Sequence, residues 1–244
     1  TPRLEQPGAT EFFSASDLEY EEIAAPVLVQ LDSGVSLPTA VYHLLNQGVT
    51  GLEWCAGVPG TIGGAVFMNA HGGRKFISDF FVSAKLIDTQ GKVNQKPYSY
   101  FSFDYDYSIL HRTKETVITA VLQLKKGNIA MAQKVSSEWA RRKNLQPDRS
   151  LGSTFHNLPQ KTRDELGLPT TSAGYIIDKV LGLRGIKKVG DAIVSPRSAN
   201  FIENWGHAKA SDVYQLIREI KQAAKDKLGI ELVEEIQYLG DFDG

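Results

Sequence analysis

An α+β fold is predicted for this chain of 244 residues. Three observations carry the prediction: strand-like runs rich in β-branched residues, amphipathic segments of helical period between them, and hairpin turns where a doubly wound sheet would need helical crossovers. Residues 22–34 hold a short apolar run ending in a glycine turn and read as a strand. Leu37 to Gln47 has a helical pattern, with Pro38 tolerable in the first turn. Phe81 to Val93 reads as a strand, a turn at Thr89-Gln-Gly91 and a return strand. Thr116 to Leu124 is rich in β-branched residues and reads as a further strand. Ala130 to Lys143 is an amphipathic helix whose last turn, Arg141-Arg-Lys143, complements the helix dipole.

Gln146 to Gly152 reads as a hinge, and the pattern beyond it follows a different plan. Ser172 to Val180 is helical, Asp191 to Phe201 strand-like, and Ser211 to Leu228 a helix with Ser211-Asp212 as its N-terminal cap and Gly229 as its stop. Glu231 to Leu239 is read as the last strand. No internal repeat or low-complexity segment interrupts this order.

Composition narrows the function classes. Hydrophobic content of 42% and charged content of 23% are those of an ordinary globular protein. A net charge of −1 gives no electrostatic case for nucleic acid or a membrane surface as partner. The single cysteine, Cys55, excludes an intramolecular disulfide and a multi-cysteine zinc site, and no metal site is read. Cys55 itself is expected to be a small buried hydrophobe, and the chain suits a reducing compartment, the cytoplasm. No apolar stretch approaches the roughly 18 residues of a spanning helix. The chain starts Thr-Pro-Arg-Leu-Glu, unlike a secretory signal, and without an initiator Met, which suggests a fragment or a processed chain.

The most telling stretch is Gly57-Val-Pro-Gly-Thr-Ile-Gly-Gly-Ala-Val-Phe-Met-Asn-Ala-His-Gly-Gly73. It is too apolar for a linker and too glycine-rich for an ordinary helix. Glycine allows close approach to backbone N–H groups, and successive N–H groups form a concave site suited to a phosphate-bearing ligand. The run is neither a Rossmann fingerprint nor a P-loop. Its structural alternative is a tight, buried glycine turn between packed elements.

This run, with Gly51-Leu-Glu-Trp54 before it, resembles the flavin-binding signature of the MurB family, the UDP-N-acetylenolpyruvoylglucosamine reductases of peptidoglycan precursor synthesis. Val58 stands for Ile and His71 for the last Gly of that signature. Further segments match in order: Gly152-Ser-Thr-Phe-His-Asn157, with His156 in place of Lys; Ser172 to Asp178 with Gly182-Leu-Arg-Gly185; Ala199-Asn-Phe-Ile202 with Asn204; and Leu232-Val-Glu-Glu-Ile236 with Gly240. The resemblance implies the second part of a VAO/PCMH-type FAD-binding domain (residues 1–148), a MurB-type C-terminal substrate domain (149–230) and a tail strand returning to the first domain (231–244). It implies FAD and NADPH as cofactors and a UDP-sugar as substrate. FAD is expected on Gly57, Pro59, Gly60, Thr61, Gly63, Gly64, Ala65 and Asn69, with Tyr105 and Asn157 contacting substrate at a site on the domain junction.

In that family the flavin delivers hydride to an enolpyruvyl ether, and protein groups hold the charge and supply the proton. Ser153 falls at the proton donor and Glu235 at the acid that stabilises the substrate carboxylate; Glu234, beside it on a strand, is expected to face the other way. Read without the resemblance, Ser153 is a cap or turn residue, Glu235 a surface strand charge and Asn157 a turn residue before Pro159.

Three departures from the family pattern matter, and the first two stand against full activity. The family's Tyr-Arg-x-Ser motif is Tyr105-Asp-Tyr-Ser108 here, placing Asp106 where an arginine would attract the substrate carboxylate. No Gly-Ser-Asn phosphate loop is found before residue 51, so a first FAD subdomain is expected to be missing. The residue before Ala-Asn-Phe is Ser198 rather than His or Gln. Two alternatives to the reductase therefore stay open: a catalytically degenerate scaffold or partner-binding subunit, whose partner would be a protein, and a nucleotide-sugar binder without redox chemistry.

Overall fold

A computed structural model describes residues 25–242 except Asp148. The chain divides into two compact units, residues 1–144 and 145–244. Glu22 to Ala24 of the first strand-like run, and Asp148 of the expected hinge, lie outside the described residues.

The first unit is built on an antiparallel sheet. Its elements are β1 (Pro26–Asp32), α1 (Leu37–Asn46), β2 (Val49–Thr50), α2 (Ile62–Met68), β3 (His71–Gly72), β4 (Lys75–Phe76), β5 (Phe81–Ile87), β6 (Val93–Pro97), α3 (Leu110–Thr113), β7 (Thr116–Lys126) and α4 (Ile129–Asn144). The sheet order is β1-β7-β5-β6, with β2 also paired to β7, while β3 and β4 form a separate hairpin. The strand β7 is central because its Val117, Ala120, Leu122 and Leu124 all reach the core. At the edge, β1 alternates exposed and half-buried positions and starts at Pro26, a position where the missing N–H is harmless. Ser36 caps α1 by accepting the Thr39 N–H, and Pro38 sits in the first turn as expected. The core joins α1, Trp54, Cys55, α2 and the inner face of the sheet.

The glycine run departs from expectation, because Gly63 and Gly64 lie inside α2. Thr61 caps this helix by accepting the Gly64 N–H, and Asn69 ends it in the left-handed region at φ 48°. A helix survives two glycines here because it is buried: Ile62, Ala65 and Val66 all sit in the core.

The second unit comprises β8 (Ser150–Ser153), α5 (Gln160–Glu165), α6 (Ala173–Tyr175, continued by a π-turn over Ile176–Val180), β9 (Lys188–Val189), β10 (Ala192–Val194), β11 (Phe201–Asn204) and α7 (Ala210–Leu228). Its antiparallel sheet has the order β8-β11-β10-β9. Leu216, Ile217, Ile220 and Ala224 of α7 form one core with Ala192, Val194 and Ile202 of the sheet.

Five sequence expectations are corrected in this unit. Ser150 to Gly152 belong to β8 rather than to a hinge. Asp191 to Phe201 is not one strand but β10, a turn and the start of β11; the Ser195 hydroxyl accepts the N–H groups of Arg197 and Ser198 and reverses the chain. The cap of α7 is Lys209, whose N–H donates to Asp212 Oδ2, so Ser211 lies within the helix. Glu231 to Leu239 forms no strand: only an isolated bridge between Phe155 and Glu234 ties it to β structure. Without a strand's alternation Glu234 and Glu235 are both half-buried, contrary to the expected split into one buried and one exposed carboxylate. Among the described residues no helix is long and apolar enough to cross a membrane.

Candidate active site

In the second unit, backbone pairing brings Ser153 and Glu235 into one neighbourhood although 82 positions separate them (235 − 153). Ser153 ends β8 opposite Phe201 of β11, and Gly152 before it takes φ 88°, a left-handed conformation that favours glycine. The tail then runs antiparallel beside residues 154–156. The Glu235 N–H donates to the Thr154 carbonyl at 2.9 Å, and the His156 N–H donates to the Val233 carbonyl at 2.9 Å. Ser153 and Glu235 are both half-buried, a setting in which a hydroxyl and a carboxyl remain reachable.

Glu234 is held elsewhere. Its Oε2 lies 2.7 Å from Lys221 Nζ on α7, and Tyr238 Oη donates to its Oε1 at 3.4 Å. Burial, with Glu234 nearby, pushes the Tyr238 phenol up to about 12. Lys221 thus ties the tail to the helix through two glutamates, Glu234 and, at 3.7 Å, Glu231. Asn157 is exposed, and its Oδ1 accepts the Ala173 N–H at 3.2 Å, which places it at the start of α6.

In the first unit the residues expected to hold flavin divide into two sets. Five of them support the fold. A Cβ on Gly57 would lie 2.6 Å from Lys143 Cβ and 2.9 Å from Ala140 Cα, so glycine permits α4 to pack there. A Cβ on Gly63 would lie 2.9 Å from Ser33 Cβ, and the Gly63 N–H donates to the Ser33 carbonyl. Thr61 is a helix cap and Ala65 is core. The Asn69 amide donates to the Asp104 carbonyl at 2.9 Å and accepts the Ser78 N–H at 3.2 Å. The other three, Pro59, Gly60 and Gly64, are exposed. A Cβ on Gly64 would meet only Thr61 Oγ1, at 3.6 Å.

The amide cradle expected at Gly63 and Gly64 is therefore displaced, since both N–H groups are bonded within the chain. Among the described residues no backbone hydrogen bond engages the N–H of Gly60 or Thr61, which moves the open donors to the residues just ahead of α2. An open glycine surface beside two such donors fits a flat, phosphate-bearing cofactor.

Tyr105 is exposed, and its ring lies 4.9 Å from that of His71, tilted by 38°. His71 Nε2 lies 3.4 Å from Asp106 Oδ1, and the Asp106 side chain is only 6% exposed at φ 50°. Sequence reasoning treated His71 and Asp106 as unrelated departures; the structure makes them neighbours. Their signal was available, since both depart from the same resemblance and each brings a group able to pair with the other. Cys55 is fully buried, and burial first, then Glu53, pushes its thiol well above the usual range. Arg141 is held by Glu138 at 2.7 Å, the solvated-helix arrangement expected of the basic last turn.

Comparison with known proteins defines the class first. Residues 19–95 match an FAD binding domain, and residues 145–239 match the C-terminal domain of UDP-N-acetylenolpyruvoylglucosamine reductase. The combination is that of a two-part flavoprotein. At the level of whole chains, the reductase of Synechococcus elongatus is 35% identical over 219 residues, covering 88% of this chain and 68% of the relative. The reductase of Lachnoclostridium phytofermentans is 33% identical over 246 residues, covering 98% of this chain and 72% of the relative. The crystal structure of the Thermus caldophilus enzyme superposes with a TM-score of 0.71 at 32% identity, over 86% of this chain and 71% of that one. The chain belongs to the UDP-N-acetylenolpyruvoylglucosamine reductase (MurB) family.

Proposed function

We propose that this chain reduces UDP-N-acetylglucosamine enolpyruvate to UDP-N-acetylmuramate in the cytoplasm, using FAD and NADPH. The observation that supports the proposal is the Glu235 N–H to Thr154 carbonyl bond, which brings Glu235 onto backbone adjoining Ser153. Bound FAD supplies hydride chemistry after reduction by NADPH. On this reading the first unit holds the flavin, with Pro59, Gly60 and Gly64 as contact surface and Gly57, Thr61, Gly63, Ala65 and Asn69 as the frame beneath it.

The second unit supplies the proton. Addition of hydride to the methylene carbon of the enol ether leaves the neighbouring carbon carbanion-like, with charge spreading into the adjoining carboxylate. The Ser153 hydroxyl donates its proton to that carbon and recovers it from solvent. Glu235, in its protonated form, donates a hydrogen bond to the carboxylate as its charge rises. Hydride and proton together saturate the double bond. Asn157 and Tyr105 contribute polar contacts to the UDP-sugar.

The test is a separation of half-reactions. Ser153→Ala is expected to leave reduction of bound flavin by NADPH intact while stopping its reoxidation by the enolpyruvyl substrate. Equal loss in both steps would remove Ser153 from the proton-donor role. A second reading, a catalytically degenerate protein-binding subunit, is favoured by Asp106, a carboxylate facing His71 where the resemblance places an arginine. A purified chain that stays colourless after FAD is added would select that reading.

A further inference from the structure

We propose that Asn200 is a positioning residue that sets the spacing of Ser153 and Glu235; the proposal rests on the reductase reading for its link to turnover. Asn200 lies in the turn before β11, and its side-chain amide grips the backbone of Phe155 from both sides. Asn200 Nδ2 donates to the Phe155 carbonyl at 2.8 Å, and Asn200 Oδ1 accepts the Phe155 N–H at 3.0 Å. The carbonyl of Asn200 itself accepts the Thr154 N–H at 2.7 Å. Residues 154 and 155 are thus held by three bonds to one residue. The Thr154 carbonyl, leaving in the other direction, takes the Glu235 N–H, and Phe155 bridges Glu234. Ser153 precedes the clamped pair, and Glu235 hangs from it.

The clamp is itself anchored. Glu203 is buried and accepts the Ser195 hydroxyl and the Trp205 Nε1–H, while Ser195 Oγ accepts the N–H groups of Arg197 and Ser198. This fixes the turn that presents Asn200. A paired donor and acceptor at one backbone residue is what a primary amide offers and a carboxylate does not, because an ionised Asp accepts only. Asn200 touches no reacting atom on this account; it acts through the backbone of residues 154–155.

The experiment compares wild type with Asn200→Asp and Asn200→Ala in the full chain. Loss of a charge-free hydrogen-bond pair at this point is expected to slow the substrate half-reaction by roughly tenfold or more at pH 8 while flavin reduction by NADPH stays within about twofold. The Asp variant is expected to recover as pH falls, because a protonated carboxyl regains one donor and one acceptor, whereas the Ala variant is not. A purely structural role moves both half-reactions together and gives the two variants the same pH profile, and either result overturns the proposal. Amide hydrogen exchange supplies a readout apart from activity. Faster exchange at Thr154, Phe155 and Glu235 in Asn200→Asp, with α7 unchanged, is expected, and unchanged exchange at Glu235 overturns the clamp. If wild type itself shows no substrate half-reaction, the reductase reading falls, and the exchange data alone decide whether Asn200 sets this spacing.

Discussion

Gly63 and Gly64 are adjacent, identical in type and on one helix, yet the structure predicts opposite consequences for replacing them with alanine. Both lie in the first turn of α2, where replacing glycine gains part of the about 0.5–1 kcal/mol that separates glycine from alanine in a helix interior. At Gly64 the new methyl meets only Thr61 Oγ1 at 3.6 Å, an ordinary contact, so Gly64→Ala is expected to stabilise the cofactor-free chain by that amount. At Gly63 the methyl would lie 2.9 Å from Ser33 Cβ and 3.2 Å from the Ser33 carbonyl oxygen, which also receives the Gly63 N–H. Neither neighbour is the end of a flexible side chain, so overpacking costs about 1–3 kcal/mol. The propensity gain cancels in the difference, and the two variants should be separated by the overpacking cost alone. At about 2–4 °C per kcal/mol for a chain of this size, thermal unfolding of the cofactor-free proteins resolves them. Flavin binding should run against stability: a methyl on the exposed surface at Gly64 that removes about 1.4 kcal/mol of contact would weaken FAD about tenfold. Equal melting temperatures would refute the tight packing assigned to Gly63, and a Gly64→Ala chain that is more stable yet binds FAD as tightly as wild type would refute the assignment of this surface to the cofactor.

Other outcomes follow from single contacts. Asp106→Arg should destabilise the first unit, since it sets a guanidinium against His71 and forces a residue poorly suited to φ 50°; combining it with His71→Gly should restore part of the loss, with a coupling of about 1 kcal/mol in a double-mutant cycle. Additivity within about 0.3 kcal/mol would mean the pair does not interact. Cys55 should resist a thiol reagent in the native chain at pH 8 and react at once in denaturant, because burial disfavours its thiolate; rapid native labelling would contradict the packing. Gly229→Ala should destabilise α7 by about 1 kcal/mol, as Gly229 ends the helix at φ 67°, and an unchanged urea midpoint would count against that cap.

Much of the fold was legible because its signals are local. Ser36 with Pro38 marks the start of α1, alternation and a glycine turn mark β5 and β6, and the apolar period of Val213, Leu216, Ile217 and Ile220 marks α7. The failures occurred where partners distant in sequence decide. Helix α2 tolerates two glycines because the core holds Ile62, Ala65 and Val66, and no local propensity reports that. The tail has a strand-like composition but finds only residues 154–156 to pair with, so it forms a bridge rather than a strand. The Ser195 reversal was readable from Ser195-Pro-Arg-Ser198, a turn-forming sequence, yet the flanking apolar residues masked it. In the site, Ser153 and Glu235 were legible only through resemblance, since neither has a local signal of chemistry. The Asn200 clamp and the His71–Asp106 pair depend on contacts 45 and 35 residues apart (200 − 155 and 106 − 71), which one sequence does not encode visibly.

The most direct measurement is anaerobic and spectroscopic. The purified chain is loaded with FAD, bleached with one equivalent of NADPH, and then given UDP-N-acetylglucosamine enolpyruvate while the visible flavin band is followed. The band is expected to return in wild type and to stay bleached in Ser153→Ala. A wild-type chain that binds and bleaches its flavin but never recovers the band on addition of the enolpyruvyl substrate would contradict the reductase reading.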